Sequence, residues 1–118
     1  MLITISPAKT LNLDPQSQTK KHSTPDFLRE SAALIARLRK LSKPQIAALM
    51  GVSDKLAANV VAYVKHWAAP FDAANAKQAV LTFMGDVYEG LAVRDFEPRD
   101  FEVAQKHLRI LSGLYGLL

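Results

Sequence analysis

The sequence predicts an α/β (α+β) chain that is mostly helical, and three observations carry that prediction. A β-rich apolar run, Leu2-Ile3-Thr4-Ile5, stands near the start and is stopped by Pro7. Apolar residues then recur at helical spacing in several segments, separated by Pro, Gly and Ser. A second apolar run, Ile110 to Leu118, ends the sequence without a polar tail and reads as a buried strand. With 118 residues, 49% of them hydrophobic and 22% charged, the chain suits one globular domain of residues 1–118. Its abrupt apolar end equally suits the N-terminal part of a longer domain.

The elements follow in order. Residues Ser6 to Ser23 are polar and aperiodic, with Pro7, Asn12, Asp14 and Pro15, and predict a long loop. Loops of this length in small domains are usually functional or mobile. Thr24-Pro25 is a cap followed by proline at the first helical position, and Asp26 adds a favourable negative charge to the first turn. Leu28, Ala32, Ile35 and Leu38 then form the inward stripe of a helix to about Leu41. Ser42 and Gln45 match a capping box for a short helix from about Pro44 to Met50. Gly51 ends it, and Ser53 caps the next helix, whose stripe is Leu56, Val60, Val64 and Trp67. Tyr63 and Trp67 read as core residues of that helix. Alanine-rich Ala73 to Phe83 predicts another helix, and Met84 to Gly90 predicts a turn with little regular structure. A last helix is expected from Pro98 to His107, with Phe101, Ala104 and Leu108 inward.

Composition excludes several classes of function. There is no cysteine, so disulfides and thiolate metal sites are ruled out. His22, His66 and His107 have no ligand spacing and the aspartates form no compact cluster, so the sequence predicts no metal and no cofactor. No apolar run approaches the roughly 18–20 residues that span a membrane, and the start lacks a signal-peptide pattern. The expectation is a cytoplasmic protein without a membrane partner. Net charge is +4, from 15 basic and 11 acidic residues, which is compatible with nucleic acid without being diagnostic. Arg37, Arg39, Lys40, Lys43, Lys55 and Lys65 lie in or beside the segment from about 44 to 67.

That segment reads as a helix-hairpin-helix, its turn being Met50-Gly51-Val52-Ser53. Glycine leaves the first helix in left-handed geometry without strain. Small turn residues admit a phosphate, and the second helix points unpaired N–H groups and its positive end at it. The candidate DNA-binding residues are Gly51, Val52, Ser53 and Lys55, with Lys43 beside them. The expected partner is double-stranded or branched DNA, gripped by its phosphates without sequence readout. Ser53 stands where many such hairpins carry a second glycine, and Asp54 repels phosphate mildly. The alternative is an ordinary packed helical hairpin, in which case the chain is a protein-interaction domain whose partners the sequence does not name. Lys9 and Thr10 follow the first strand, a position where α/β proteins often bind ligands. They are candidate cleft or anion-binding residues, although the glycines of a phosphate-binding loop are missing. An enzyme acting on a phosphorylated or nucleic-acid substrate through Lys9 is the second reading, and no catalytic residue can be named.

Four motifs carry a family resemblance: Ile5-Ser6-Pro7-Ala8-Lys9-Thr10, Val52-Ser53-Asp54-Lys55-Leu56-Ala57, the run from Gly85 to Leu91, and the run from Ala104 to Gly116. Together, in order and across the chain, they resemble the YaaA family of bacterial peroxide-stress proteins, whose members are longer. The resemblance implies a cytoplasmic protein induced by hydrogen peroxide that limits damage from unincorporated iron. It also implies a family-specific α/β fold, and DNA binding through a positively charged cleft and a helix-hairpin-helix. By position the hairpin falls on Gly51, Val52 and Ser53 with Lys55 beside it, and Lys9 falls in a family motif.

Overall fold

The computed structural model describes residues Met1–Leu118 and has a mixed α/β architecture of six α-helices and a three-stranded sheet. The elements are β1 (Ile3–Ile5), α1 (Leu28–Leu38), α2 (Lys43–Met50), α3 (Asp54–His66), α4 (Ala79–Thr82), α5 (Asp86–Leu91), α6 (Pro98–His107), β2 (Leu108–Ser112) and β3 (Gly116–Leu117). They fall into two units, one of residues Leu28–Asn75 and one of Met1–Phe27 with Ala76–Leu118.

The Leu28–Asn75 unit is all helical. Its first helix starts at Leu28, later than the Thr24-Pro25 cap predicts, because Asp26 and Phe27 form a separate turn. Ile35 is buried and Leu28 and Leu38 are half-buried, as the expected stripe has them, but Ala32 is exposed and Ser31 is buried in its place. Beyond Leu38 the chain keeps winding to Leu41, as the Leu41 amide donates to Leu38 O at 3.0 Å. The Ser42 amide then donates to Gln45 Oε1 at 2.8 Å, the expected capping-box pair, and Pro44 sits in the first turn of α2. Ile46 is 1% exposed and anchors α2.

Helices α2 and α3 meet at 110°, within the range of helix-turn-helix pairs. The buried face of α3 runs through Ala57 and Val64, with Val60, Val61 and Trp67 half-buried. Leu56, expected inward, is 50% exposed, and Tyr63, expected in the core, is 47% exposed. Both lie beside the buried stripe, because Ala57 rather than Leu56 occupies the close contact at the start of the helix. Trp67 packs edge-on against Phe71 at 5.7 Å.

The other unit is built from segments far apart in sequence. Strand β1 pairs in parallel with β2, Ile3 with Leu108 and Ile5 with Ile110. Ile110 is buried and exchanges two backbone hydrogen bonds with Leu118, of 2.7 and 2.9 Å. Strand β3 pairs antiparallel with β2, Leu111 with Leu117 and Ser112 with Gly116. The single buried strand expected over Ile110–Leu118 is therefore a tight hairpin with Leu111 and Leu117 exposed. Tyr115 N–H donates to Ser112 Oγ in its turn, and Gly116, at φ +74°, brings the chain back.

The loop after β1 is irregular, as expected, but it is tied down along its length. Leu11 bridges to Phe83, Asn12 N–H donates to Thr82 O, and Met84 N–H donates to Thr10 O. The Lys77 ammonium donates to the carbonyls of Asn12 and Asp14. Gln78 donates to Lys21 O, and Gln16 to Gln78 Oε1. These ties explain why the helix expected over Ala73–Phe83 shrinks to one turn, α4. Asp72 Oδ1 holds the amides of Ala74 and Asn75 in a turn, and Phe83 is extended to make its bridge. The turn expected at Met84–Gly90 is instead the helix α5, because Tyr88 is drawn inward to 5% exposure and the amides of Tyr88 and Glu89 close onto Gly85 O. Helix α6 spans Pro98–His107 as the sequence predicts, with Glu97 N–H donating to Asp100 Oδ2 at its start.

Candidate nucleic-acid interface

The hairpin between α2 and α3 has the backbone geometry that its residues predict. Gly51 adopts φ +61°, and both its own amide and that of Val52 donate to Ala47 O. This bifurcated closure is a Schellman-type end, and it satisfies the last turn of α2. Val52 is half-buried in the turn. Ser53 is extended, and its hydroxyl oxygen accepts from Leu56 N–H at 3.3 Å.

The consequence for binding lies in what that cap leaves over. The amides of Ser53, Asp54 and Lys55 have no acceptor within the chain, and all three residues are exposed. Three consecutive unpaired donors sit at the positive end of a 13-residue helix. The Lys55 side chain is exposed in the same turn and forms no ion pair. Lys43, at the start of α2, reaches across the hairpin to Asp54 Oδ2 at 2.8 Å. Leu49, Met50 and Leu56 flank the turn with half or more of their surface exposed.

One of the surrounding basic residues is spent on the fold. Arg39 is committed internally: Nε donates to Val64 O at 3.1 Å and Nη2 to Trp67 O at 2.6 Å. A cation on the last carbonyls of α3 complements the negative end of that helix. Arg39 therefore fixes the C-terminus of α3 and is removed from the set of free cations. No sequence spacing announced this, since the contact joins residues 25 and 28 positions apart. The Lys43–Asp54 pair was equally hidden, because it depends on the angle between two helices.

Lys9 and Thr10 belong to the other unit. Lys9 is exposed without an ion pair, on the loop leaving the carboxyl end of β1, and Thr10 contributes its carbonyl to Met84 N–H. A buried tyrosine that the sequence did not single out holds the start of this loop. Tyr88 Oη donates to Ser6 O at 2.6 Å, joining two of the four motifs, and burial raises its phenol above the ordinary tyrosine value. The fourth motif runs through β2, the strand beside β1. A concavity of about 470 Å3 in this unit is lined by Ile3, Leu91, Phe96, Val103, His107 and Leu108, and includes none of the nominated residues.

The histidines are separate: Nδ1 of His22, His66 and His107 each contacts a different backbone carbonyl. No three His, Asp or Glu side chains gather in a metal-holding arrangement. No single helix is long and apolar enough to cross a membrane.

Comparison with known proteins places these motifs in a family. A family model described as peroxide stress protein YaaA matches residues 1–118. A UPF0246 protein of Cupriavidus pinatubonensis and one of Cupriavidus metallidurans are each 52% identical over all 118 residues. The chain spans 45% of the length of either relative, so it corresponds to about half of those proteins. With the match running from end to end, the chain belongs to the peroxide stress protein YaaA family.

Proposed function

We propose that this chain is the phosphate-gripping part of a cytoplasmic, non-sequence-specific DNA-binding protein. Its role would be to protect DNA during peroxide stress and to limit damage from unincorporated iron. The observation that carries the DNA reading is the run of three unpaired, exposed amides at Ser53, Asp54 and Lys55 behind a left-handed Gly51. Such donors match a phosphate oxygen and carry no base information. Lys55 adds a cation in the same turn. The expected ligand is duplex or branched DNA.

A salt-titrated gel shift of the chain with duplex, bubble and junction DNA tests this reading. Affinity should fall with salt at a slope of about −0.9 per phosphate neutralised. Lys55→Glu should weaken binding at least about tenfold, since it replaces an attraction with a repulsion beside the bound phosphate. Binding that ignores both salt and Lys55→Glu, in a variant with unchanged helical signal, would remove the hairpin from the interface.

A second reading is favoured by Lys9. It is an unpaired cation at the carboxyl end of a parallel strand, where α/β sheets place ligands. In that reading the chain belongs to an enzyme acting on a phosphorylated or nucleic-acid substrate, and Lys9→Ala abolishes turnover while sparing DNA affinity.

A further inference from the structure

We infer that the Lys43–Asp54 ion pair is an electrostatic brake on phosphate capture, and that Lys43 becomes a phosphate contact only when the pair opens. The inference rests on the DNA reading of the hairpin and adds its regulation. Asp54 is the first residue of α3 and lies between Ser53 and Lys55, whose amides are unpaired. Its carboxylate bonds none of those amides; its partner is the Lys43 ammonium, at 2.8 Å from Oδ2. The negative charge that a phosphate would bring is thus already present beside the donors, and the nearest cation on α2 is spent on it.

Two further facts make the pair exchangeable rather than structural. The side chains are 43% and 77% exposed, so water and salt screen the attraction and little holds it closed. Each helix also has its own start without it: Gln45 accepts from the Ser42 amide, and Ser53 accepts from the Leu56 amide. Opening the pair therefore costs neither helix its cap. A DNA backbone offers two adjacent phosphates, one for the amides and Lys55 and one for the released Lys43. An isolated phosphate offers one, and meets Asp54 with no compensating contact. The pair accordingly favours polyanionic strands over single phosphates.

The test is a binding cycle on the whole chain with a random-sequence duplex of about two helical turns, with inorganic phosphate as competitor. Asp54→Asn should tighten duplex binding about three- to tenfold and steepen the log–log salt slope by about 0.9, one more neutralised phosphate. Asp54→Ser, an uncharged helix-start residue, should behave alike, which separates the effect from any local loss of helix. Adding Lys43→Ala to Asp54→Asn should return affinity and slope to the parent values. Inorganic phosphate should compete better against Asp54→Asn than against the parent chain. An unchanged affinity in both Asp54 variants would overturn the brake, as would a gain that survives Lys43→Ala. Lys55→Glu, run in parallel, separates the two levels: if it weakens binding while Asp54→Asn does nothing, the brake fails and the hairpin stands. If neither matters, the hairpin reading itself has failed.

Discussion

The two units of this chain contrast in how far apart in sequence their stabilising contacts lie. In Leu28–Asn75, the turns are closed by residues within five positions of one another: Ser42 with Gln45, Val52 with Ala47, Ser53 with Leu56. In the other unit Ile3 pairs with Leu108, Tyr88 reaches Ser6, and Gln18 reaches Val93. The first kind of contact orders little chain per bond formed, whereas the second closes long loops before any bond is made. The candidate phosphate site sits on the locally determined unit. Its geometry is accordingly set by a short stretch of sequence and a few buried side chains.

The largest expected effect comes from emptying either core. Ile46, 1% exposed, and Ile110, 4% exposed, are buried anchors of the two units. Ile46→Ala and Ile110→Ala should each cost about 2–5 kcal/mol, the transfer term plus the cavity left behind. Hydrogen exchange read amide by amide makes the comparison testable. Ile46→Ala should lower protection in α2 and α3, and Ile110→Ala in β1 and β2. If either variant releases both sets of amides together, the units unfold as one and the contrast between them has no energetic meaning.

The same contrast explains what could be read in the sequence. Gly51, Ser53, the Ser42–Gln45 pair and the limits of α6 were legible because each signal and its partner lie within one or two turns. The backbone geometry of the turn at Gly51, Val52 and Ser53 was legible for that reason. The one-turn α4 was not, because Lys77 and Gln78 are drawn to carbonyls of the loop after β1, and no local pattern announces that. Helix α5 was missed for a related reason. Two glycines in Met84–Gly90 argue for a turn, and burial of Tyr88 against a distant carbonyl overrides them. Leu56 and Ala57 show a finer failure: periodicity located a buried face on α3, but close helix packing selected the smaller neighbour.

Tyr88→Phe sharpens the contrast by deleting one long-range bond and nothing else. Its hydroxyl donates to Ser6 O at 2.6 Å from a nearly buried ring. The loss should be about 0.5–1.5 kcal/mol, the net worth of one hydrogen bond, since Ser6 is exposed and water can replace the lost donor, and denaturant titration reads it. The site also has a pH signature. Burial raises the folded phenol above its unfolded value of about 10, so its contribution is complete below that pH and falls away as pH rises through the folded value. Tyr88→Phe should remove that share of the alkaline loss.

A local counterpart is Gly51→Ala. An added Cβ at Gly51 meets nothing within 4 Å, so the whole cost is the left-handed backbone, about 1–2 kcal/mol. Gly51→Asn should recover part of it, since asparagine tolerates that conformation. At Gly116 the same change also brings a Cβ within 3.0 Å of Phe27 Cδ2, so Gly116→Ala should cost more than Gly51→Ala. Equal costs at the two glycines, measured by denaturant midpoint, would mean that Phe27 moves aside freely.

The smallest effect belongs to a long-range contact, which keeps distance in sequence from being mistaken for strength. Lys21 and Glu102 pair across 81 residues, with 57% and 56% of their side chains exposed. The Lys21 hydrogen bond and charge, aided by Lys106, hold the Glu102 carboxyl below its ordinary value. A depressed carboxylate means that the unfolded chain binds the proton more readily. The pair's contribution is therefore complete above the unfolded value of about 4.3 and is lost as pH falls through the folded one. Water screens an exposed pair so well that Lys21→Ala should leave the denaturation midpoint near neutral pH almost unmoved. The same substitution should still raise the Glu102 titration midpoint toward the ordinary glutamate range, followed by carboxyl NMR. A Glu102 titration that does not move in Lys21→Ala would show that the pair is not held in solution. A large loss of stability would show instead that this contact organises the loop after β1 as firmly as Tyr88 does.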